Sequence, residues 1–336
     1  MNRILVVNIN WIGDAIITTP AFRALKEKFP SAYVAVMAPE RVRGVFANNP
    51  YIDEIIIFDE KTSQRSLLAK LRFVKLLKAK KFDTAFLIHR SFTRALICWL
   101  AGIKRRIGYR RLKTIGVINA AITPPAGNLH RQDYYLCLFE EMGIIINDKL
   151  PKLYTTEKQK EKYRWLIEEA RKKYSYLIGI NPSGNWHLKR WPAAYIAKLA
   201  DRLTKETKCA IILVGASRDC SCAEEIANLM QEKPYNLCGK TDLPELAALI
   251  EEMDIFISAD SGPAHLAAAT GVHTLALFGP TSEKIARPIG KHVTVIRKHL
   301  DCPTPCYRLD CKNNVCMKAI SVEDVLLEIQ SILKHA

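Results

Sequence analysis

The chain has 336 residues, room for two domains with a sizeable core each, which argues against a single small binding module. With 49% hydrophobic and 25% charged residues and no excess of Gly or Pro, low-complexity, disordered and fibrous classes drop out. Fifty Lys and Arg against 34 Asp and Glu leave a net charge of +16, which favours polyanionic partners: phosphorylated ligands, an anionic membrane surface or nucleic acid.

Short Val- and Ile-rich runs alternate with longer amphipathic stretches, the pattern of βα units around parallel sheets buried on both faces. In the first half, strands are predicted at 4–9, 33–37, 54–58, 84–88 and 106–109, with helices near 14–28, 64–80 and 131–142. A Pro at 151 precedes a charged helix at 157–173, which sets the expected domains at 1–152 and 153–336. A second series follows, with strands at 177–181, 210–214, 255–258, 274–277 and 293–296 and helices near 193–206, 222–231, 243–251 and 263–269. Two Rossmann-like halves of an α/β protein result. The last helix, 322–333, has apolar residues at helical spacing and could pack back across the cleft between the halves. No apolar run approaches the roughly 20 residues of a membrane-spanning helix, and residues 1–7 lead straight into a strand, so a cytoplasmic protein is expected.

Four segments at predicted strand ends could carry chemistry, because ligands of open α/β sheets bind beyond the carboxyl ends of the strands. In Asn8-Ile9-Asn10-Trp11-Ile12-Gly13-Asp14, Gly13 is expected to allow a tight turn and Asp14 to start a helix, either as a capping residue or as a positioned carboxylate. In the second, Ser183 and Gly184 could offer a hydroxyl and backbone amides to a phosphate, with Lys189 and Arg190 as cations and Trp191 as a packing anchor. In the third, Ser258 through His265, Asp260 suits ribose hydroxyls or a cap, and Ser261-Gly262 opens a helix whose free amides favour an anion. The fourth is the turn Phe278-Gly279-Pro280-Thr281. Neither GxGxxG nor a Walker A sequence occurs in these loops, which weighs against a nicotinamide dehydrogenase and a P-loop NTPase.

In this order the segments resemble glycosyltransferase family 9, the lipopolysaccharide heptosyltransferases. The carriers are Trp11-Ile12-Gly13-Asp14 with Thr19-Pro20-Ala21, Lys189-Arg190-Trp191-Pro192, and Asp260 to His265 with Phe278 to Thr281. The resemblance implies the GT-B fold, two Rossmann-like domains facing across a cleft, with the first binding acceptor and the second the nucleotide sugar. It implies inverting, metal-independent transfer of L-glycero-D-manno-heptose from ADP-heptose to the phosphorylated lipid A and inner-core region of lipopolysaccharide, with no cofactor. Asp14 matches the family's catalytic base and Lys189 its phosphate-contacting lysine. Asp260, Ser261, Gly262 and His265 match the nucleotide-sugar loop, while Ser183 and Gly184 occupy the matching strand-end turn. Where related enzymes place an acidic residue after a Gly-Ala turn, this chain has Gly215-Ala216-Ser217-Arg218-Asp219, leaving Asp219 as the substitute.

A lipid-bearing acceptor places the protein at the inner face of the inner membrane, where basic runs such as Lys104-Arg105-Arg106 and Arg110-Arg111 would meet anionic headgroups. Cys302, Cys306, Cys311 and Cys316 lack paired CxxC knuckles; similar segments occur in sequences of the family they resemble, and packed free thiols are favoured over a structural metal. Two other readings remain: a different nucleotide-sugar transferase of the same fold, and a non-catalytic anion-binding protein. No nucleic-acid-binding motif is visible, so no nucleic-acid partner is expected.

Overall fold

The computed structural model describes every residue except Asn185, Tyr307, Leu309, His335 and Ala336. It divides into two compact units, Met1–Lys152 and Leu153–Ala336.

The first unit runs β1 (Arg3–Val7), α1 (Ile12–Ile16), α2 (Thr19–Lys28), β2 (Tyr33–Ala38), α3 (Arg43–Phe46), β3 (Glu54–Ile57), α4 (Leu67–Ala79), β4 (Thr84–Leu87), α5 (Phe92–Leu100), β5 (Arg105–Tyr109), β6 (Ala120–Ile122) and α6 (Arg131–Glu140). The second runs α7 (Glu157–Lys173), β7 (Tyr176–Asn181), α8 (Ala193–Thr207), β8 (Cys209–Leu213), α9 (Cys220–Leu229), β9 (Tyr235–Asn236), α10 (Leu243–Glu251), β10 (Ile255–Ala259), α11 (Gly262–Thr270), β11 (His273–Phe278), α12 (Glu283–Ala286), β12 (Val293–Arg297), α13 (Val315–Lys318) and α14 (Val322–Lys334).

Both sheets are wholly parallel, in the orders β3-β2-β1-β4-β5-β6 and β12-β11-β10-β7-β8-β9. Counted within its own unit, each is the 3-2-1-4-5-6 order of a Rossmann fold, whose switch point falls between the first and fourth strands. Those pairs are β1 with β4 and β7 with β10. Helices cover both faces, so the central strands are apolar and buried along their length, as in β1 and β8. At Gly179 of β7 a Cβ would lie 2.3 Å from Met253 Sδ and 2.7 Å from Phe256 Cδ2, so only glycine lets β10 pair there.

The expected helix at 14–28 is two helices. The first starts at Ile12, so Gly13 is its second residue rather than a turn, and its N-cap is Trp11. The second opens with Pro20 in its first turn, a position where the missing N–H costs nothing. In the last helix Val325, Leu326 and Ile329 join the core of the second unit, and Arg202 of α8 pairs with Glu323. Among the described residues no helix is long and apolar enough to cross a membrane.

Candidate active site

In the first unit the loop after β1 and the loop after β4 flank the switch point, and Asp14 stands one turn into α1. Its carboxylate is 7% exposed and does not cap the helix. Instead it faces α6, where Arg131 donates from Nη1 to Oδ1 at 3.3 Å and to Oδ2 at 3.5 Å, and the phenol of Tyr135 bonds the same group. Arg131 and Tyr135 are four residues apart on one helix, so they share a face. Burial first, then the Asp14 charge, push the Tyr135 hydroxyl above its ordinary range, which keeps it a neutral donor to the carboxylate.

Beneath the loop lies Arg94, which sequence reasoning missed. It is 1% exposed, donates from Nη1 to Asn8 O at 2.9 Å and from Nη2 to Asn10 Oδ1 at 2.7 Å, and its Nε is 3.5 Å from Glu60 Oε2. Asn8 in turn donates to Thr18 Oγ1 at 2.8 Å and accepts from Ile9 N. A buried cation thus ties α5 to the loop that leads into Asp14. From the loop after β4, His89 accepts from Ser91 N; burial, with the nearby Arg94 charge, holds its pKa down at about 4. His89, Arg90, Ser91, Tyr109 and Arg111 line a small pocket at this edge.

In the second unit the loops after β7 and β10 flank the corresponding switch point. Asn181 and Ser258 are register partners at the ends of these strands, and Ser258 Oγ also bonds Ser261 Oγ at 2.7 Å. Lys189, in a short 3-10 turn, reaches across to Asp260: Nζ lies 2.6 Å from Oδ2 and 3.3 Å from the Asp260 carbonyl oxygen. Asp260 is therefore an ion-pair partner rather than a helix cap. Ser261 is the N-cap of α11 with no side-chain cap bond, Gly262 is the first helical residue, and the first-turn amides other than Pro263 lack intrahelical partners. Ser183 is buried and follows β7 with Gly184, while His265 is buried within α11. Among the described residues, Trp186 Nε1 and Thr281 Oγ1, on the loops after β7 and β11, are buried without a protein hydrogen-bond partner. The Lys189 cation next to Asp260 and the N-terminus of α11 together suit an anionic ligand.

The other expected residues differ in setting. Asp219 is buried and accepts from Ala216 N at 2.9 Å, closing the Gly215-Ala216 turn, with Arg218 Nε 3.7 Å from its other oxygen. Arg106 does not face outward: it is 8% exposed and donates to the Val117 and Ile103 carbonyls. Cys302, Cys306, Cys311 and Cys316 are free thiols, and among the described residues no three His, Cys, Asp or Glu side chains gather as a metal set.

Comparison with known proteins gives this arrangement a family. The model of glycosyltransferase family 9 (heptosyltransferase) matches residues 70–316. Lipopolysaccharide heptosyltransferase 2 of Salmonella typhimurium is 29% identical over 309 residues, 88% of each chain. Among solved structures, Escherichia coli ADP-heptose lipopolysaccharide heptosyltransferase II superposes with a TM-score of 0.83 at 26% identity, over 100% of this chain and 99% of that one. A family 9 glycosyltransferase from Veillonella parvula reaches 0.91 at 23% identity, over 100% and 98%. Two Rossmann-like units, a buried carboxylate after the first strand and a Lys189–Asp260 ion pair in the second unit accompany a family match over most of the sequence, and the chain belongs to glycosyltransferase family 9.

Proposed function

We propose that the protein transfers L-glycero-D-manno-heptose from ADP-heptose to the phosphorylated inner core of lipopolysaccharide, with inversion and without a metal. The names of its relatives support heptose transfer to that core. The observation that carries the donor site is the Lys189–Asp260 pair at the N-terminus of α11, where a diphosphate would gain a cation and free amides together.

A sugar hydroxyl is too weak an acid to ionise near neutral pH, so a positioned base must take its proton as the new bond forms. In the proposed reaction, Asp14 accepts the proton of the acceptor hydroxyl while that oxygen bonds to the anomeric carbon. The bond from this carbon to the donor phosphate breaks on the opposite face, and ADP leaves with the electron pair. Arg131 and Tyr135 orient the Asp14 carboxylate. Lys189, the amides near Ser183 and Gly184, and the start of α11 at Gly262 stabilise the charge growing on ADP, while Asp260, Ser261 and His265 contact the rest of the nucleotide sugar. The first unit takes the acceptor and the second the donor. The acceptor carries lipid A, so the protein works as a peripheral enzyme at the cytoplasmic face of the inner membrane.

Incubation with ADP-heptose and a truncated core acceptor, read by product mass, tests the reading. One heptose added to the acceptor and ADP released is the expected result; transfer only from a different nucleotide sugar would favour another transferase of the same fold.

A further inference from the structure

The net charge is concentrated in one segment. Residues 61–132 hold 17 of the 50 Lys and Arg but a single carboxylate, Asp83, and the remaining 33 cations and 33 carboxylates of the chain cancel. All of the +16 therefore belongs to the part of the first unit that spans α4 to the start of α6.

Within that segment apolar side chains stand in solvent. Leu67, Leu68 and Leu71 of α4 are 72%, 69% and 50% exposed, and Leu112 and Ile115, after β5, are 89% and 72% exposed. α4 buries only Phe73 and Leu77, which lie one turn apart on one side; its outward side carries the leucines in the first turns and Arg72, Lys75 and Lys78 further along. Leu112 and Ile115 are set among exposed Arg110, Arg111 and Lys113. The two groups share an edge. In a parallel sheet every loop that leaves a strand leaves from the carboxyl end, so the loop from β3 into α4 and the loop after β5 emerge on the side where the loop after β1 carries Asp14.

We propose that this edge of the first unit docks on an anionic lipid bilayer, with Leu67, Leu68, Leu71, Leu112 and Ile115 entering the headgroup boundary and the surrounding Lys and Arg neutralising lipid phosphates. Exposed apolar side chains in a segment with 17 cations and one carboxylate match an interfacial surface, where hydrocarbon burial and headgroup attraction act together. A soluble polyanion such as nucleic acid would use the cations and leave the leucines in water. Docking here holds the Asp14 edge against the membrane that bears the acceptor; this deepens, and rests on, the reading of that acceptor as lipid-anchored.

The test is flotation of the full chain with vesicles of phosphatidylethanolamine and phosphatidylglycerol, against phosphatidylcholine alone. The wild-type protein should float with the anionic vesicles and stay behind with the neutral ones. The combined change Leu67→Ser, Leu68→Ser and Leu71→Ser keeps every charge, yet should weaken anionic-vesicle binding by about tenfold or more. Lys75→Gln with Lys78→Gln should weaken it too and make it less sensitive to salt. A serine variant that floats like wild type, or a wild type that ignores anionic vesicles, overturns the proposal. Vesicle binding is read without donor or acceptor, and transfer to a water-soluble truncated acceptor, expected to be unchanged in the serine variant, is read without vesicles. Either reading can then fail alone.

Discussion

Lys189 and Asp260, 71 residues apart in sequence, meet as an ion pair with Nζ 2.6 Å from Oδ2, both side chains mostly shielded from solvent. The pair presents a cation whose position is set before any ligand arrives. Lys189→Ala should lower kcat/KM by about 10²-fold or more, the effect of deleting one strong electrostatic donor, and raise the Kd for ADP-heptose. It should also lower the melting temperature, because Asp260 is left buried beside no cation. Donor affinity equal to wild type, with only the stability loss, would make the lysine a structural partner of Asp260.

Asp14→Asn separates chemistry from scaffolding. Since Asp14 does not cap its helix and the amide fills the same space, folding should be nearly unaffected. Turnover should fall by about 10² to 10⁴-fold, the usual contribution of general base catalysis, with donor Kd unchanged. Tyr135→Phe leaves the carboxylate but removes one of its two holders; kcat should fall by about tenfold, while donor binding stays. Retention of most kcat in Asp14→Asn ends the base assignment.

These relationships separate what the sequence could tell from what it could not. Strands buried on both faces read clearly as Val- and Ile-rich runs, and the four loops that end them were found as motifs. The short β6 and β9 had no such run, and Phe92–Leu100 of α5 lacks a clear polar face, so none of the three was read. Asp14 was found, but its partners Arg131 and Tyr135 lie more than a hundred residues away, and no local spacing announces such a contact. Arg94 was invisible for the same reason: nothing near position 94 marks a cation that folding will bury. Arg106 shows the converse error: one member of an otherwise exposed basic run is buried, because its side chain donates to the carbonyls of Val117 and Ile103.

His89 provides a pH dependence. Its folded pKa, about 4, lies below the ordinary value of 6.5, so the unfolded chain takes up the proton first. Stability from the neutral imidazole is therefore complete above pH 6.5 and is lost as pH falls toward 4, on the order of 2 kcal/mol from this group. His89→Asn can still accept from Ser91 N but cannot titrate. Urea midpoints at pH 7 and pH 5 should fall further in wild type than in the variant; parallel falls would assign the acid sensitivity to other groups.

Turnover should persist in excess EDTA, because the proposed reaction places the charge of departing ADP on Lys189 and backbone amides. A complete loss that Mg²⁺ restores would show that these groups are insufficient.

Arg94 has a consequence for motion. With its guanidinium bonded to Asn8 O and Asn10 Oδ1 and enclosed on all sides, the segment that leads into Asp14 cannot open without exposing a buried cation's cavity. Hydrogen exchange at Ile9, whose amide is held by Asn8 Oδ1, should accordingly require the same large-scale opening as the sheet beneath it rather than the local fraying usual for loops. This edge of the first unit then behaves as part of the core, and any opening of the unit has to come from other segments.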